Sequence, residues 1–313
     1  MSVAYFSLTQ KCTHNCIVCP CSAPKEQRSH DLSFEKFETD IHKAKENGLS
    51  GVVLSGGEPT LHPDFFKILA FLASQNLQIS LLTTAEKFAS ESFCEDLLKN
   101  YDPHNVRVIT AIHSFDSDIH DSITRLPGSL AKTLQGLDNL YKMGCKITVK
   151  HLAIKPTVAS ISGFVKRFYD KYPDDVALVL CNIDFKGNAY ENKDLLWLDL
   201  RKTGELMDEA LDFVERKAQE GSQRSVKVYD TPYCTIDHKH WKYLRSQARL
   251  LLALYDDPTN SRDKVDQFVR NSSGPFFDAC KNCLNRLNCP GTWHSRTNVE
   301  AELPLRPFLE QET

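Results

Sequence analysis

The chain has 313 residues, of which 41% are hydrophobic and 25% are charged, and its formal net charge at pH 7 is −3. This composition is typical of a globular protein with a sizeable core, and the small negative charge gives no electrostatic reason to expect nucleic acid or an anionic membrane as a partner. Residues 1–5 lack the character of an export signal, and no apolar run reaches the roughly 18 residues of a membrane span, so we expect a cytoplasmic protein.

Strand and helix patterns alternate along the first 220 residues. Short β-branched runs predict strands, and apolar residues spaced three or four apart predict helices. The predicted strands are residues 3–8, 51–54, 78–82, 106–112, 146–152 and 176–180. The predicted helices are residues 34–46, 64–74, 91–98, 130–143, 160–172 and 204–218. This alternation requires a parallel sheet with right-handed crossovers, so we predict an α/β fold, a partial TIM-like (β/α)6 barrel.

The alternation stops after Ala218. Residues 225–229 predict one more short strand, residues 241–254 a helix and residues 256–274 a polar loop. We therefore predict two domains, a barrel over residues 1–220 and a small appended domain over residues 221–313. Functional loops of such barrels lie at the carboxyl ends of the strands.

Eleven cysteines in a chain without an export signal favour metal ligation over disulfides. Cys12, Cys16 and Cys19 follow the first strand in the spacing C-x3-C-x2-C. Three thiolates bind three irons of a cubane cluster and leave the fourth iron open for another ligand. A zinc site or a set of buried small hydrophobic residues is the alternative.

A second motif follows the second strand and consists of Ser55, Gly56, Gly57, Glu58, Pro59 and Thr60. Two glycines after a strand are often only a tight turn. The functional interpretation is that the missing side chains let the backbone approach a ligand while Glu58 anchors the loop.

Together, the two motifs resemble those of the radical S-adenosylmethionine (SAM) enzymes. The resemblance implies a [4Fe-4S] cluster on Cys12, Cys16 and Cys19, with SAM chelating the open iron. Reductive cleavage of SAM would then give methionine and a 5′-deoxyadenosyl radical that takes a hydrogen atom from the substrate. A reductant such as flavodoxin or ferredoxin is implied.

The resemblance also points to SAM-binding residues at the strand ends. The first group is the glycine motif, with Ser55, Gly56, Gly57, Glu58 and Pro59. Further candidates are Thr83 and Thr84 after the third strand, His113 and Ser114 after the fourth, and Arg125 for the methionine carboxylate. A solvated arginine or a capping serine is the alternative at these positions. Ala111 stands where many relatives carry serine, so the carboxylate contact is expected to shift.

Cys234, Cys280, Cys283 and Cys289 form a second group whose four thiolates would saturate a [4Fe-4S] cluster. A four-thiolate zinc site meets the same count. The spacing C-x2-C-x5-C resembles a shortened auxiliary-cluster domain, called SPASM or twitch, of radical SAM peptide-modifying enzymes, which favours an auxiliary [4Fe-4S] cluster.

Cys181 ends the sixth predicted strand. A thiol at this rim would return a hydrogen atom to a substrate radical, as a peptide epimerase requires. An inert small residue is the alternative.

Residues 183–189, 196–199 and 229–234, with the last three cysteines of the second group, resemble the small maturases of His-Xaa-Ser peptide systems. This implies a ribosomally made precursor peptide as substrate and a cross-link, an epimerised centre or another oxidation as product. Leader recognition would come from the small domain, the barrel rim or a separate leader-binding or partner maturase protein. The alternatives are a dehydrogenase of a small hydroxylated molecule such as an amino sugar, and a non-enzymatic metal-binding partner of a maturase.

Overall fold

The computed structural model describes residues 2–20, 29–158, 160–245, 273–274 and 277–299, together with residues 305 and 308. Its main sheet contains β1 (Ser2–Thr9), β2 (Leu49–Gly56), β3 (Gln78–Leu82), β4 (Val106–Ala111), β5 (Lys146–Ala153), β6 (Ala177–Asn182), β7 (Val226–Tyr229) and β8 (Leu244–Arg245). A separate antiparallel pair joins β9 (Ser273–Gly274) to β10 (Thr292–Trp293).

The helices follow the strands in alternation. They are α1 (Phe34–Glu46), α2 (Phe65–Ser74), α3 (Glu91–Asn100), α4 (Ser117–Thr124), α5 (Ser129–Lys142), α6 (Lys155–Val158), α7 (Ile161–Lys171), α8 (Asn188–Glu191), α9 (Lys193–Leu196) and α10 (Leu200–Gln219). No helix among the described residues is long and apolar enough to cross a membrane.

Strands β1 to β8 lie side by side in chain order, and each neighbouring pair is parallel. In the described part of the chain, no pairing returns from β8 to β1, so the barrel is open. The predicted α/β fold with a partial barrel is confirmed. All eight carboxyl ends point to one rim, where the loops carrying both sequence motifs meet.

Side-chain alternation builds the core between the sheet and its helices. In β5 every second residue is buried, with Ile147, Val149 and His151 almost inaccessible to solvent. Helix α1 packs Phe37 and Ile41 against the sheet, and its start is fixed by Ser33, whose hydroxyl accepts from the Lys36 amide. The residues between the buried ones, such as Lys150, face the barrel interior.

Two parts of the sequence prediction differ from the structure. The strand predicted at residues 225–229 exists as β7, but it extends the barrel sheet next to β6. The helix predicted at residues 241–254 is wrong at its start, because His238–Tyr243 is a 3-10 helix and β8 follows it. Residues 246–254, and residues 256–272 of the predicted polar loop, lie outside the described residues. The two-domain division stays a proposal.

Candidate active site

The loop after β1 places Cys12, Cys16 and Cys19 at the rim, each half-buried. The Ile17 amide donates to the Ile123 carbonyl (2.9 Å), and the Asn15 amide donates to the carbonyl of the last α4 residue. On the other side, the Asn188 side chain donates to the Cys16 carbonyl (3.1 Å). No disulfide joins the cysteines of the described residues. The loop backbone is thus held by α4 and α8, and no disulfide takes up its thiols.

The glycine motif lies directly against the chain that leads into Cys12. The Gly57 amide donates to the Thr9 carbonyl (2.6 Å), and the Glu58 amide donates to the Lys11 carbonyl (2.7 Å). A Cβ on Gly57 would lie 2.2 Å from the Lys11 carbonyl oxygen. Glycine is therefore required here by contact with the loop itself, a reason that the sequence pattern did not reveal.

Glu58 connects the ends of β2 and β3. Its carboxylate, 2% exposed, accepts from the Thr60 hydroxyl (2.6 Å), the Thr83 hydroxyl (2.7 Å) and the Thr84 amide (2.7 Å). These contacts anchor the glycine motif to the end of β3. They also occupy the Thr83 hydroxyl, whereas the buried Thr84 hydroxyl has no hydrogen-bond partner among the described residues. Ser55 and Pro59, on either side of the motif, are buried.

The candidates after β4 have different surroundings. The buried His113 ring has no partner for Nδ1 in the described part of the chain, and burial holds its pKa well below the ordinary value. The Ser114 hydroxyl accepts from the Asp116 amide (3.0 Å). Arg125 ends α4 in the left-handed conformation, and its guanidinium donates to Asn192 Oδ1 (2.9 Å). Of the three, His113 has a buried ring nitrogen with no hydrogen-bond partner among the described residues, and the Ser114 hydroxyl and the Arg125 guanidinium keep further donors.

The four cysteines of the second group line one pocket. Cys234 follows β7, whereas Cys280, Cys283 and Cys289 come from the segment near the end of the chain. Burial and the neighbouring thiols raise the pKa of Cys280 to about 11. The amides of Tyr233 and Gly291 donate to Cys289 Sγ at 3.5 and 3.4 Å.

This second pocket has an aromatic wall. The Trp241 ring stacks on Tyr233 with centroids 4.2 Å apart and contacts Phe308 at 5.5 Å. In the described part of the chain, no three His, Cys, Asp or Glu side chains are placed to hold a single metal ion. A cubane takes each thiolate on a different iron, so its ligands lie farther apart than those of one zinc ion.

Cys181 is the penultimate residue of β6 and is 1% exposed. Its thiol donates to the Asn182 carbonyl (3.1 Å) and lies 4.0 Å from Asp230 Oδ2. Burial raises the pKa of Cys181 to about 12, with Lys150 acting in the opposite direction. The thiol is therefore a neutral, buried group, and sequence alone did not point to Lys150 or Asp230 beside it.

The segment after the second cysteine group covers the end of β6. Trp293 Nε1 donates to the Asn182 carbonyl (3.1 Å), and the Ser295 hydroxyl donates to Asp184 Oδ1 (2.6 Å). The Phe185 amide in turn donates to the Ser295 hydroxyl (2.9 Å). The second cysteine group is thus tied to the same rim as the first.

Comparisons with known proteins agree with this geometry. Residues 6–158 match the model of the radical SAM superfamily. The chain is 26% identical over 167 residues to AlbA, an antilisterial bacteriocin subtilosin biosynthesis protein of Bacillus subtilis strain 168, covering 53% of this chain and 36% of AlbA. It is also 26% identical over 153 residues to a GTP 3′,8-cyclase of Campylobacter jejuni strain RM1221, covering 48% of this chain and 46% of that protein. The chain spans less than half the length of either relative.

A solved structure has the same fold over nearly the whole chain. Streptococcus suis SuiB bound to precursor peptide SuiA matches with a TM-score of 0.61 and 14% identity, over 99% of this chain and 74% of that one. Proteins of the radical SAM superfamily bind a [4Fe-4S] cluster and SAM. Residues 6–158, which contain both motifs, therefore form a radical SAM domain.

Proposed function

We propose that this protein is a radical SAM enzyme that takes a hydrogen atom from a ribosomally made precursor peptide. The product would carry a cross-link, an epimerised centre or another oxidation. The observation that carries the proposal is the meeting of the three-cysteine loop and the glycine motif at the rim of an open barrel.

Cys12, Cys16 and Cys19 would hold the [4Fe-4S] cluster that has an open iron. When bound, the cluster and SAM supply a 5′-deoxyadenosyl radical. The chain's own part is positioning: Glu58 fixes the glycine motif to β3, and the motif fixes the strand that enters the cysteine loop. We assign to SAM the Thr84 hydroxyl and His113 Nδ1, which have no hydrogen-bond partner among the described residues, together with the backbone of Gly56 and Gly57.

The open edge of the barrel supports a peptide substrate. Because β8 does not pair with β1 within the described residues, an extended chain has access to the interior. The likeness to SuiB, which was solved with a precursor peptide, and the match to a bacteriocin biosynthesis protein favour the same class. The match to GTP 3′,8-cyclases keeps a small-molecule substrate, such as a hydroxylated molecule to be dehydrogenated, as the second candidate.

The second cysteine group is proposed to hold an auxiliary [4Fe-4S] cluster. The pocket provides four thiolates, two amide donors to Cys289 Sγ and an aromatic wall. These are the surroundings expected of a cluster that is fully ligated and shielded from solvent. Such a cluster would accept an electron or stabilise the covering segment.

Cys181 remains a proposed hydrogen donor only if the enzyme is a peptide epimerase. The proposed reductant is flavodoxin or ferredoxin. A further proposed partner is a separate leader-binding or partner maturase protein. We propose that the protein acts in the cytoplasm.

The test is co-expression with candidate precursor peptides, followed by mass spectrometry of each peptide. A cross-linking or other oxidative enzyme should make the peptide lighter by two hydrogens. An epimerase should leave the mass unchanged in ordinary water and add one deuterium at the inverted α carbon in deuterated water. An unmodified peptide together with an oxidised small molecule would favour the second candidate.

A further inference from the structure

The charged residues in the strands of the main sheet are all cations. Strands β1 to β8 contain no Asp or Glu. They contain five Lys or Arg residues, which are Arg107 in β4, Lys146 and Lys150 in β5, Lys227 in β7 and Arg245 in β8. None of the five forms a salt bridge with an Asp or Glu of the described residues, whose ion pairs all lie elsewhere. These strands therefore carry five positive charges and no negative one.

The five cationic side chains share one face of the sheet. Side chains alternate along a strand, and the sequence neighbours of the cations are buried residues of the core, such as Val149 in β5 and Val228 in β7. The cations therefore face the barrel interior. Lys150 and Lys227 are half-buried and lie in one row of this face, because both pair with Val179 of β6.

Two neighbouring groups show where the cations reach. Burial raises the pKa of Cys181 at the rim, and a hydrogen bond from Lys150 acts against this effect. Burial also raises the pKa of Tyr229, and the charges of Arg245 and Arg107 act against it. Strands β5 and β6 separate Arg107 in β4 from Tyr229 in β7, so this influence crosses the interior. The positive field of the interior therefore reaches the rim at Cys181.

The acids just beyond the strands do not balance this field. Asp230 follows β7 and is inaccessible to solvent, and its Oδ2 lies 4.0 Å from Cys181 Sγ. Asp184 follows β6 and forms a salt bridge with Lys186 at 3.3 Å. One buried carboxylate then stands against five cations, so the described part of the interior has a net positive charge.

The spacing of the cations fits an extended peptide with several carboxylates. Lys146 and Lys150 are four residues apart on one strand, which corresponds to about 13 Å, and Lys150 and Lys227 are two strands apart, about 10 Å. Side chains on one face of an extended peptide recur about every 7 Å, so the carboxylates of an acidic segment can meet separate cations. Three of the five are lysines, whose point charges on flexible stems suit such separate contacts.

We propose that the barrel interior binds an acidic segment of the substrate peptide, and that Lys150 and Lys227 pair with its carboxylates. The inference rests on the proposed function, because it takes the barrel interior as the substrate site, and it assigns a charge to that substrate. A charge-assisted hydrogen bond contributes about tenfold or more to an affinity. Lys150 and Lys227 are therefore specificity-determining residues, which select peptides with carboxylates in this segment.

The test is fluorescence anisotropy of the reconstituted full chain with two labelled probe peptides. Both are Gly- and Ser-based peptides of equal length, with Glu at every second position in one and Gln in the other. The Glu probe should bind at least about tenfold tighter than the Gln probe, and its affinity should fall as the salt concentration rises. Lys150→Gln and Lys227→Gln should each weaken the Glu probe about tenfold and leave the Gln probe unchanged. Lys227→Arg, which keeps the charge, should bind the Glu probe like the wild type.

Lys166→Gln is the matched control. Lys166 is exposed on α7, outside the barrel, so its replacement changes the net charge by the same amount and leaves the interior intact. Its affinity for both probes should equal that of the wild type. Equal binding of the two probes by the wild type would overturn the proposal, as would equal losses in Lys166→Gln and Lys227→Gln. Displacement of the Glu probe by inorganic triphosphate at a lower concentration than by unlabelled Glu peptide would also overturn it, because the interior would then favour phosphate.

Failure of the proposed function looks different, because probe binding requires no turnover. A reconstituted and reduced protein that binds the Glu probe as expected but forms no 5′-deoxyadenosine from SAM would refute the proposed function alone. A protein that cleaves SAM but binds the two probes equally would refute the acidic segment alone.

Discussion

Gly57→Ala is the substitution that the geometry makes most informative. The added Cβ would lie 2.2 Å from the Lys11 carbonyl oxygen and 2.6 Å from that of Gln10, whereas ordinary contact begins at 3.4 Å. Both neighbours are backbone, so the chain itself must move by about 1 Å to make room. Because Lys11 directly precedes Cys12, the same displacement would move the start of the cysteine loop.

We expect Gly57→Ala to lower the free energy of unfolding by about 1–3 kcal/mol, the usual range for overpacking. Iron loading and SAM cleavage should fall further than this loss of stability explains. The assays are chemical denaturation, iron per chain, and chromatography of 5′-deoxyadenosine. Gly57→Val should be more severe and nearly abolish cleavage.

Gly163→Ala is the matched control. Gly163 is exposed in α7, and its added Cβ would meet no atom of the described residues within 4 Å. Replacing glycine by alanine in an exposed helix stabilises by up to about 1 kcal/mol, so this variant should keep its iron and its activity. If Gly57→Ala behaves like Gly163→Ala, the contact between the glycine motif and the cysteine loop does not control the site, and our reasoning is refuted.

Three further predictions concern the metal, the buried thiol and the pH dependence. Anaerobic reconstitution should give about eight irons per chain, and alanine at Cys12, Cys16 and Cys19 should halve this number; stoichiometric zinc in the native protein would contradict the assignment. If the enzyme forms cross-links, Cys181→Ala should leave the yield of modified peptide, measured by mass spectrometry, nearly unchanged. If it is an epimerase, the variant should still form 5′-deoxyadenosine but should not form the epimerised peptide. Burial lowers the pKa of His151 to about 4, so stability should be full above pH 6.5 and decrease as the pH falls from 6.5 towards 4. Denaturation titrations should show a loss of about 1 kcal/mol between pH 7 and 5.5 from this residue, and His151→Gln should flatten that dependence.

Local periodicity explains why most of the barrel was predictable. Strand β3 and helix α1 begin and end at the predicted residues, because each contains enough apolar positions to show its period. Helix α4 has eight residues with few apolar positions, and β8 has two residues. Such short elements are defined by their neighbours, and sequence patterns did not reveal them.

The same distinction applies to the site. The spacing of Cys12, Cys16 and Cys19 is local and visible in the sequence. The contact between Glu86 and Thr13 joins residues 73 positions apart, and it depends on the way in which the ends of β1 and β3 meet at the rim. A lone glutamate after a strand gives no sequence signal of such a contact. The four cysteines of the second group were grouped by count and resemblance, and the fold places them around one pocket.

The most direct test of the central claim is transfer of deuterium from the peptide to SAM-derived 5′-deoxyadenosine. The reconstituted protein is reduced in the presence of SAM and a candidate precursor peptide prepared from deuterated amino acids, and the nucleoside is analysed by mass spectrometry. Our account predicts 5′-deoxyadenosine with one deuterium, formed together with modified peptide. Unlabelled 5′-deoxyadenosine with every deuterated residue tested, and a peptide that stays unmodified, would contradict it.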